Sequence, residues 1–470
     1  MIELKDVIFS YGEEDSANCL KNISFTVSDG QFVLLTGPSG CGKSTILRLI
    51  NGLIPNYYKG NFSGEVNVNG ISVPETPLYE MAKHTGTVFQ NPRSQFFNVD
   101  TTSELAFCCE NLGMPETEIL SRINNTVKRF SIQKLIDRNI FYLSGGEKQK
   151  IACASVDVAQ PDIILLDEPS ANLDTNSVIA LRNLIKIWKE QKKTILIAEH
   201  RIAYIWDLID RAVIMKSGTI VKELTKEEID RTTEEDVKNF GLRSLKMENP
   251  QDIYISYEET PEKIILKDFQ FSYEKKKPVL EIEEMSIPAG KIVAVTGRNG
   301  LGKTTFLKCL CGLKKCRGRM YYKGKWYKGR QRINQIFMIM QDVNHQLFSE
   351  SVLEEVLISM NEENENRARE ILGLLGLSEF ANCHPMALSG GQKQRVSIAC
   401  AVASEREILL FDEPTSGLDY EHMLLTGEIF RELKKSGKTV IIVTHDDELI
   451  RNCCDVVLHL NQKQRVDELF

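Results

Sequence analysis

Two short segments of this 470-residue chain contain the residue types and the spacing that hold phosphate groups. Residues 37–44, "GPSGCGKS", and residues 297–304, "GRNGLGKT", both fit the pattern GxxxxGK[ST], each between an apolar run and a helical pattern. Glycines let backbone N–H groups turn inward around a phosphate, and the helix start adds partial positive charge. We expect the lysine to reach the β- and γ-phosphates and the following hydroxyl to ligate Mg²⁺. The residues with these roles are Lys43, Ser44, Lys303 and Thr304.

Two pairs of adjacent acids supply the carboxylates that such a site needs. Asp167 and Asp412 each end a short apolar run that is typical of a buried strand. We expect each aspartate to lie beside a glycine loop and to hold magnesium. Glu168 and Glu413 follow directly, and the pleat of the strand turns them away from the aspartates. These glutamates are therefore predicted to orient and polarise the attacking water.

Two histidines and two tyrosines recur at matching places. His200 and His445 each follow another apolar run, 33 residues after the aspartate. We interpret them as sensors of the γ-phosphate. Tyr11 and Tyr273, in "FSY" before each glycine loop, have side chains that could stack on adenine, although packing in a core or a hairpin is an open alternative.

These recurrences show that the chain contains two copies of one domain. We predict a first domain at residues 1–229, a linker at 230–262 and a second domain at 263–470. The linker is acidic and polar and contains at most one short helix. Each copy reads as strand, glycine loop and helix, followed by short buried strands, which predicts an α/β fold with a parallel sheet.

Composition excludes several classes of function. No apolar run approaches the roughly 18 residues that span a bilayer, and no secretory signal is visible, so we expect any membrane contact to be made through a partner. A net charge of −7 argues against nucleic acid as the main ligand. The segment from Lys314 to Arg332 is basic and interleaved with aromatic residues, as in a strip that binds nucleic acid, but we interpret it as a solvated face because the first copy has an uncharged hairpin there. Twelve cysteines without framework spacing predict reduced, packed thiols.

A third repeated phrase, "LSGG", opens a helix in each copy, from Leu143 and from Leu388. Its serine and two glycines offer a hydroxyl, two backbone N–H groups and a helix dipole to an anion. A glycine loop with an Asp–Glu pair covers only one side of a nucleotide, so another group must cover the other side. Two copies in one chain predict that the domains face each other head to tail. Residues 389–392 would then close over the nucleotide on Lys43, and residues 144–147 over that on Lys303.

The predicted nucleotide contacts therefore come from the tyrosines, the two glycine loops and the two LSGG segments. They are Tyr11, Gly37, Pro38, Ser39, Gly40, Cys41, Gly42, Lys43, Ser44, Thr45, Ser144, Gly145, Gly146, Glu147, Tyr273, Gly297, Arg298, Asn299, Gly300, Leu301, Gly302, Lys303, Thr304, Thr305, Ser389, Gly390, Gly391 and Gln392.

The full set of motifs resembles the ATP-binding-cassette (ABC) ATPases over nearly the whole chain apart from the linker. The resemblance implies two tandem P-loop NTPase domains, each with a mainly parallel sheet, an antiparallel β subdomain and a helical signature subdomain. It implies that ATP with Mg²⁺ is bound between the two domains and hydrolysed. It also implies that Gln90 and Gln341 contact magnesium and touch membrane partners.

Within that family, "FQNPRSQFF", "ELAFCCEN" and "AEHR" are similar to the ATPases of energy-coupling-factor importers, which take up vitamins, vitamin precursors or cobalt and nickel ions. The resemblance implies a transmembrane scaffold, a substrate-capturing membrane subunit and a peripheral location on the cytoplasmic face of the membrane. The second copy has "MQDVNHQ" without Asn-Pro, Lys150 stands where the second copy has Arg395, and the acidic run after the first glutamine is reduced to "TTSEL". The alternatives are a fused ATPase of a sugar importer and a soluble tandem cassette protein that acts on the ribosome.

Cys41 lies inside the first glycine loop, near a helix start that favours a thiolate. We therefore expect a maleimide to inhibit ATP hydrolysis and ATP to protect against it, unless Cys41 is only a tolerated small residue.

Overall fold

The computed structural model describes residues 1–12, 20–255, 260–273, 278–388 and 390–460. They form two compact units, the first comprising Met1–Met247 with Asp419–Glu421 and the second beginning at Glu248. Each unit contains a mainly parallel sheet, a separate antiparallel sheet and a group of packed helices. The predicted α/β class is confirmed.

The strands of the first unit are β1 (Ile2–Tyr11), β2 (Leu20–Val27), β3 (Phe32–Thr36), β4 (Gly60–Val68), β5 (Ile71–Ser72), β6 (Thr85–Val88), β7 (Ile163–Asp167), β8 (Thr194–Ala198), β9 (Arg211–Lys216) and β10 (Thr219–Leu224). Its helices are α1 (Lys43–Ile50), α2 (Leu53–Asn56), α3 (Leu78–His84), α4 (Thr101–Asn111), α5 (Glu116–Arg129), α6 (Gly145–Ala159), α7 (Thr175–Glu190), α8 (Lys226–Arg231) and α9 (Glu234–Asn239).

The large sheet of the first unit brings the chemical motifs to one edge. Its strand order is β10-β9-β3-β8-β7-β6, parallel except for the pair β9–β10. Strands β3, β7 and β8 are almost wholly apolar because helices or the other sheet cover both of their faces. Parallel strands end at the same edge, so the glycine loop, Asp167 and His200 follow three adjacent strands.

Two smaller substructures complete the first unit. The antiparallel sheet has the order β2-β1-β4-β5, and its alternating apolar residues share a core with the inner face of α1. Helices α4 and α5 pack against α6, whose Asp157 accepts hydrogen bonds from Thr126 Oγ1 (2.6 Å) and Trp188 Nε1 (2.9 Å). This helical group positions the start of α6, where "LSGG" lies.

The segment interpreted as a linker contributes to the first unit. Within residues 230–262, α9 is a six-residue helix, and Val237 and Leu242 are buried in the core of the first unit. Lys222 Nζ lies 4.5 Å from the ring centre of Phe240. The compact unit therefore continues to Met247, and the limits at 229 and 263 stay a proposal for where the two repeats end and begin.

The strands of the second unit are β11 (Lys263–Phe271), β12 (Leu280–Pro288), β13 (Ile292–Thr296), β14 (Arg317–Tyr322), β15 (Lys325–Lys328), β16 (Ile336–Ile339), β17 (Ile408–Asp412), β18 (Thr439–Val443) and β19 (Val456–His459). Its helices are α10 (Lys303–Cys311), α11 (Val352–Ser359), α12 (Glu365–Leu374), α13 (Gly390–Ala403), α14 (Tyr420–Lys435) and α15 (Asp447–Cys453).

The second unit repeats the same layout. Its parallel sheet has the order β16-β17-β18-β13-β19, and its antiparallel sheet has the order β12-β11-β14-β15. The glycine loop follows β13, Asp412 ends β17, and His445 follows β18, which lies between those two strands. In neither unit does the described part of the chain contain a helix long and apolar enough to cross a membrane.

Two candidate nucleotide-binding sites

The first glycine loop wraps around the side chain of Lys43. Lys43 is buried, and its Nζ donates hydrogen bonds to the carbonyl oxygens of Gly37 (2.9 Å) and Pro38 (3.0 Å). Gly37 has a φ of 141°, and a Cβ at this position would lie 2.1 Å from the carbonyl oxygen of Met215. Only glycine permits this close approach, so the loop places a fixed ammonium group at its centre.

The second loop has the same construction. Lys303 Nζ donates to the carbonyl oxygens of Gly297 (2.7 Å) and Arg298 (3.2 Å), and it lies 3.4 Å from Asn299 Oδ1. Gly297 has a φ of 153°, and a Cβ there would lie 2.9 Å from the carbonyl oxygen of Leu460. Both loops therefore show the backbone conformation that the GxxxxGK[ST] pattern predicts.

A hydroxyl and a carboxylate meet beside each loop. Ser44 Oγ donates to Asp167 Oδ1 at 2.8 Å, and Thr304 Oγ1 donates to Asp412 Oδ1 at 3.2 Å. Burial raises the pKa of Asp167 to about 6, with a contribution from the Glu168 carboxylate, and burial also raises the pKa of Asp412. A nearby cation would stabilise these buried carboxylates, and paired oxygen donors of this kind suit Mg²⁺. The residues present therefore fit the predicted metal.

Glu168 is held between two side chains. Gln90 Nε2 donates to its Oε2 at 2.6 Å, and His200 Nε2 lies 3.3 Å from its Oε1. Burial would raise the pKa of Glu168, but the interactions with His200, Lys43 and Gln90 outweigh burial and lower it. An ionised carboxylate at this position can polarise a water molecule. The amide nitrogen of Gln90 contacts this glutamate in the structure.

Glu413 has a similar contact with a histidine in the second unit. His445 Nε2 lies 3.6 Å from Glu413 Oε1, and the His445 backbone N–H donates to Oε2 at 3.2 Å. His445 Nε2 also lies 3.0 Å from Asn299 Oδ1 of the glycine loop. The structure therefore brings the glutamate, the histidine and the loop of this unit together.

The first LSGG segment forms a capping box at the start of α6. Ser144 Oγ accepts from the Glu147 N–H (3.3 Å), and the Ser144 N–H and Oγ both donate to Glu147 Oε2 (2.8 Å each). A Cβ on Gly145 would meet nothing within 4 Å, whereas a Cβ on Gly146 would lie 2.2 Å from Ser177 Oγ. Gly145 thus leaves the helix start open to a ligand, while Gly146 is required for packing against α7.

The second LSGG segment is described except for its serine, Ser389. Helix α13 begins at Gly390, where a Cβ would meet nothing within 4 Å. A Cβ on Gly391 would lie 3.9 Å from His422, which is ordinary contact distance. Ser389 lies outside the described residues, and Gln392 occupies the position of Glu147.

Both tyrosines contact the helix that follows the glycine loop. Tyr11 Oη lies 3.2 Å from Thr45 Oγ1, and Tyr273 Oη lies 2.9 Å from Thr305 Oγ1. Tyr273 is exposed, and Lys314 Nζ lies 4.0 Å from its ring centre, whereas Tyr11 is half-buried among other aromatic rings. Stacking of either ring on adenine stays a prediction.

Sequence reasoning missed a buried carboxylate that shapes the chain after the first glutamine. Glu104 is buried on α4, and its Oε2 accepts hydrogen bonds from the N–H groups of Phe97 (3.0 Å) and Asn98 (2.8 Å). These bonds hold the turn in which the Phe97 side chain is 75% exposed. Phe107 of α4 stacks on Phe97 with ring centres 4.8 Å apart.

The second unit repeats this arrangement, a buried glutamate that clamps a turn by accepting hydrogen bonds from two of its backbone N–H groups. Glu355 is buried on α11, and its Oε2 accepts from the N–H groups of Phe348 (2.9 Å) and Ser349 (2.8 Å). Phe348 is also 75% exposed. The sequence carried a signal for this feature, because the clamping glutamate follows Gln90 and Gln341 by the same 14 residues.

A second missed residue is Glu199, between β8 and His200. This fully buried carboxylate accepts at Oε1 from the N–H groups of His200 (2.8 Å) and Arg201 (3.1 Å). At Oε2 it accepts from the Ser170 N–H (3.3 Å) and the Tyr204 hydroxyl (3.0 Å). Burial raises the pKa of Glu199. Glu199 therefore links the loop after β8 that contains His200, here called the histidine loop, to the segment that follows Glu168.

The second unit has Thr444 in place of this glutamate. Its Oγ1 accepts from the Asp446 N–H at 3.0 Å. His200 and His445 are thus held by different neighbouring groups, although their own contacts with glutamate are alike.

Burial favours the alternative stated for Cys41, a small residue of the loop that is tolerated there and is not a reactive thiolate. Cys41 is buried, and burial raises its pKa, which the nearby Lys43 only partly offsets. The position of Cys41 near a helix start suggested the opposite, because sequence does not show how fully the loop covers the sulfur atom.

Comparison with known proteins gives a consistent result. A family model described as "ABC transporter" matches residues 20–171 and 280–416. An ABC transporter ATP-binding protein of Treponema denticola is 42% identical, over 100% of this chain and 97% of the relative. A second protein with that name from the same organism is 38% identical, over 99% and 96% of the two chains. The structure titled "Model of ribosome-bound archaeal Pelota and ABCE1" matches with a TM-score of 0.65 and 22% identity, over 97% and 76% of the two chains, a likeness that concerns the fold alone.

Proposed function

Since this chain belongs to the ABC transporter family of ATPases, we propose that it is the energy-coupling subunit of a membrane importer of the energy-coupling-factor type. In this proposal, two composite ATP sites form head to tail between its halves. The importer would take up a vitamin, a vitamin precursor, or cobalt or nickel ions. The chain would act at the cytoplasmic face of the membrane.

Hydrolysis follows from the geometry within each unit. Lys43 and Lys303 would bind the β- and γ-phosphates, because each ammonium is held at the centre of its loop. Glu168 and Glu413 would activate the attacking water, and His200 and His445, each close to its glutamate, would contact the γ-phosphate. The histidine contact would keep the glutamate correctly oriented and ionised.

The metal sites would consist of the hydroxyl and carboxylate pairs, supplemented by the glutamine loops. The proposed ligands are Ser44, Gln90, Asp167, Thr304, Gln341 and Asp412. Bound Mg²⁺ would neutralise developing charge on the phosphates. The protein's part is to keep the donor oxygens together, as the 2.8 Å and 3.2 Å contacts do.

The paired LSGG segments support composite sites. Gly145 and Gly390 both leave the N-terminus of a long helix open to an anion. We place residues 389–392 over the nucleotide on Lys43 and residues 144–147 over that on Lys303. Glu147 must then release the Ser144 hydroxyl, to which it is now hydrogen-bonded, when the nucleotide binds.

One observation carries the coupling proposal: an exposed phenylalanine at the same distance after each glutamine. Phe97 and Phe348 are both 75% exposed, and a buried glutamate fixes the backbone of each. Large aromatic side chains held outward on a fixed turn are typical of protein interaction sites. The family resemblance implies that a membrane scaffold docks at this place, and a substrate-capturing membrane subunit would bind that scaffold.

Capture from detergent-solubilised membranes tests this proposal. The intact chain should retain a multi-span membrane protein, and the double variant Phe97→Ser/Phe348→Ser should lose it. Val221→Ser is a matched control, because Val221 is an exposed apolar residue on β10. ATP hydrolysis by the purified variants should be unchanged, since none of these residues belongs to the nucleotide sites.

Three results would contradict the proposal. Equal capture by the double variant would show that Phe97 and Phe348 do not form the docking surface. Recovery of ribosomal subunits in place of a membrane protein would favour the ribosomal alternative. Two different multi-span subunits with a sugar-binding protein would favour the sugar importer.

Paired substitutions test the head-to-tail arrangement separately. Lys43→Ala should remove one site and Ser144→Arg the other, so the double variant should bind no ATP in equilibrium dialysis. Lys43→Ala with Ser389→Arg should affect one site only and leave about one ATP per chain. If each segment instead caps its own loop, the two double variants exchange these results.

A further inference from the structure

The antiparallel sheet of the second unit encloses a charged side chain without a carboxylate. The Arg332 side chain is 0% exposed and lies over the Phe269 ring, 4.8 Å from its centre. Its Nε donates to the Gly329 carbonyl at 3.1 Å, and its Nη2 donates to Cys316 Sγ at 3.3 Å. Among the described residues, its Nη1 has no hydrogen-bond partner, and no carboxylate lies within ion-pair distance.

The first unit has uncharged residues at the positions equivalent to Arg332 and Cys316. Met81 precedes Gln90 by nine residues, as Arg332 precedes Gln341, and Met81 is also fully buried. Phe62 occupies the place of Cys316, because each lies two residues before a glycine with a φ of 99°. The site is therefore an apolar core position in one repeat and a guanidinium–thiol contact in the other.

A buried guanidinium requires an anion. Arginine does not lose its proton in proteins, and an unpaired charge in a core costs several kcal/mol. Cys316 is the acidic group in contact with Arg332, and its pKa is lowered to about 6, first by the Cys309 thiol and then by Arg332, against burial. When it is protonated, the half-buried Cys316 thiol donates to the Cys309 carbonyl oxygen, 3.7 Å away.

The other titratable neighbours reinforce this arrangement. The pKa of Cys309 is raised, first by its hydrogen bond with Cys316, so Cys309 stays a thiol. Burial raises the pKa of Cys311 to about 11. Lys314 and the Arg406 guanidinium add positive charge near these cysteines. One thiolate among neutral thiols and cations is the arrangement of a selectively reactive cysteine.

We propose that Cys316 is a modification site, a thiolate paired with the buried Arg332 that reacts with hydroperoxides and is then joined to Cys309 in a disulfide. In the first step the thiolate attacks the terminal oxygen of the hydroperoxide, and the O–O bond breaks. Cys316 sulfenic acid forms, and an alkoxide leaves, which is hydroxide when the oxidant is hydrogen peroxide. In the second step the Cys309 sulfur attacks the Cys316 sulfur, the S–O bond breaks, and water leaves with the Cys309 proton. Sulfur is oxidised and the peroxide is reduced.

The pH dependence of alkylation tests the thiolate. Iodoacetamide labelling of each cysteine, followed by peptide mass spectrometry, should give a midpoint near 6 for Cys316. Arg332→Met, which installs the residue of the first unit, should raise this midpoint by about 1 pH unit or more, while the contact with Cys309 remains. At pH 6 the labelling rate should fall about twofold or more, because the higher intrinsic nucleophilicity partly offsets the lost thiolate.

Two further variants keep this test decisive if Arg332→Met folds poorly. Arg332→Lys keeps a cation and should keep the midpoint well below 8. Phe62→Cys places a thiol at the equivalent position of the first unit, where no arginine corresponds to Arg332, and this thiol should titrate near its ordinary value, about 8.5. A midpoint above 8 for Cys316 in the intact chain, or one unchanged by Arg332→Met, would overturn the proposal.

Hydrogen peroxide tests the second step. The intact chain should yield a peptide pair joined through Cys309 and Cys316. Cys309→Ser should stop at a sulfenic acid on Cys316 that a 1,3-dione traps. The proposal would be contradicted if peroxide left Cys316 unmodified. It would also be contradicted if Cys316 formed a disulfide with another cysteine in the intact chain.

Discussion

Replacing Glu199 by glutamine is the sharpest test of how the histidine loop of the first unit is held. The carboxylate accepts two hydrogen bonds at each oxygen, three from backbone N–H groups and one from the Tyr204 hydroxyl. A glutamine offers one oxygen and one NH₂ group in the same volume. Whichever way the amide is turned, at least one buried backbone N–H faces another donor.

The expected loss of stability follows from the number of buried donors that lose their acceptor. A buried donor left without an acceptor costs about 1–3 kcal/mol, and removing a buried charge returns part of it. We expect Glu199→Gln to lower the free energy of unfolding of the first unit by about 2 kcal/mol. Because His200 loses a backbone acceptor in one amide orientation, we also expect kcat to fall more than KM rises.

Tryptophan fluorescence can restrict the measurement to the first unit. The three tryptophans are Trp188, Trp206 and Trp326, and only Trp326 belongs to the second unit. In a Trp326→Phe background, urea unfolding followed by fluorescence reports the unit that contains Glu199. Glu190→Gln, an exposed change on α7, is the control and should stay within about 0.5 kcal/mol. A Glu199→Gln curve equally close to its parent would refute the reasoning.

Three further predictions concern residues of the two sites. Glu168→Gln and Glu413→Gln should each reduce ATP turnover, since removing a general base commonly costs 10²–10⁴-fold at its own site; nearly full turnover in one variant and none in the other would show that only one site works. Gly146→Ala should cost about 1–3 kcal/mol in urea unfolding, because its Cβ would lie 2.2 Å from a serine hydroxyl. Gly145→Ala should be neutral or stabilise by up to about 1 kcal/mol, so a larger loss there would contradict the open helix start. Maleimide should label Cys41 much more slowly in the folded chain than in urea, and rapid, ATP-protected labelling of the folded chain would show that the sulfur is accessible.

Local patterns predicted most of the scaffold. The glycine loops, the strand-ending aspartates and the LSGG helix starts depend on short-range geometry, so the pairing of Ser44 with Asp167 followed once β3 and β7 were placed in one parallel sheet. The reason for Gly146 was not visible, because the serine that excludes a side chain there lies on α7, 31 residues further along the chain.

Burial explains the remaining differences. The helix start near Cys41 favours a thiolate, but the core around the sulfur favours the thiol more strongly. Glu199 and Glu104 are ordinary acids in the sequence, and only the fold shows that each is enclosed by backbone donors. Arg332 lies in a strip interpreted as solvated, yet its own side chain is inside the sheet.

Met81 in the first unit and Arg332 in the second stand at equivalent positions, and this difference limits which segments the two repeats could exchange. A crossover between the two repeats, between positions 62 and 81 of the first, would separate the guanidinium from its sulfur counter-ion. Either product would carry one unmatched member, a buried cation in an apolar core or a thiol beside methionine. We expect the first product to lose several kcal/mol of stability, because it would bury a guanidinium without a counter-ion.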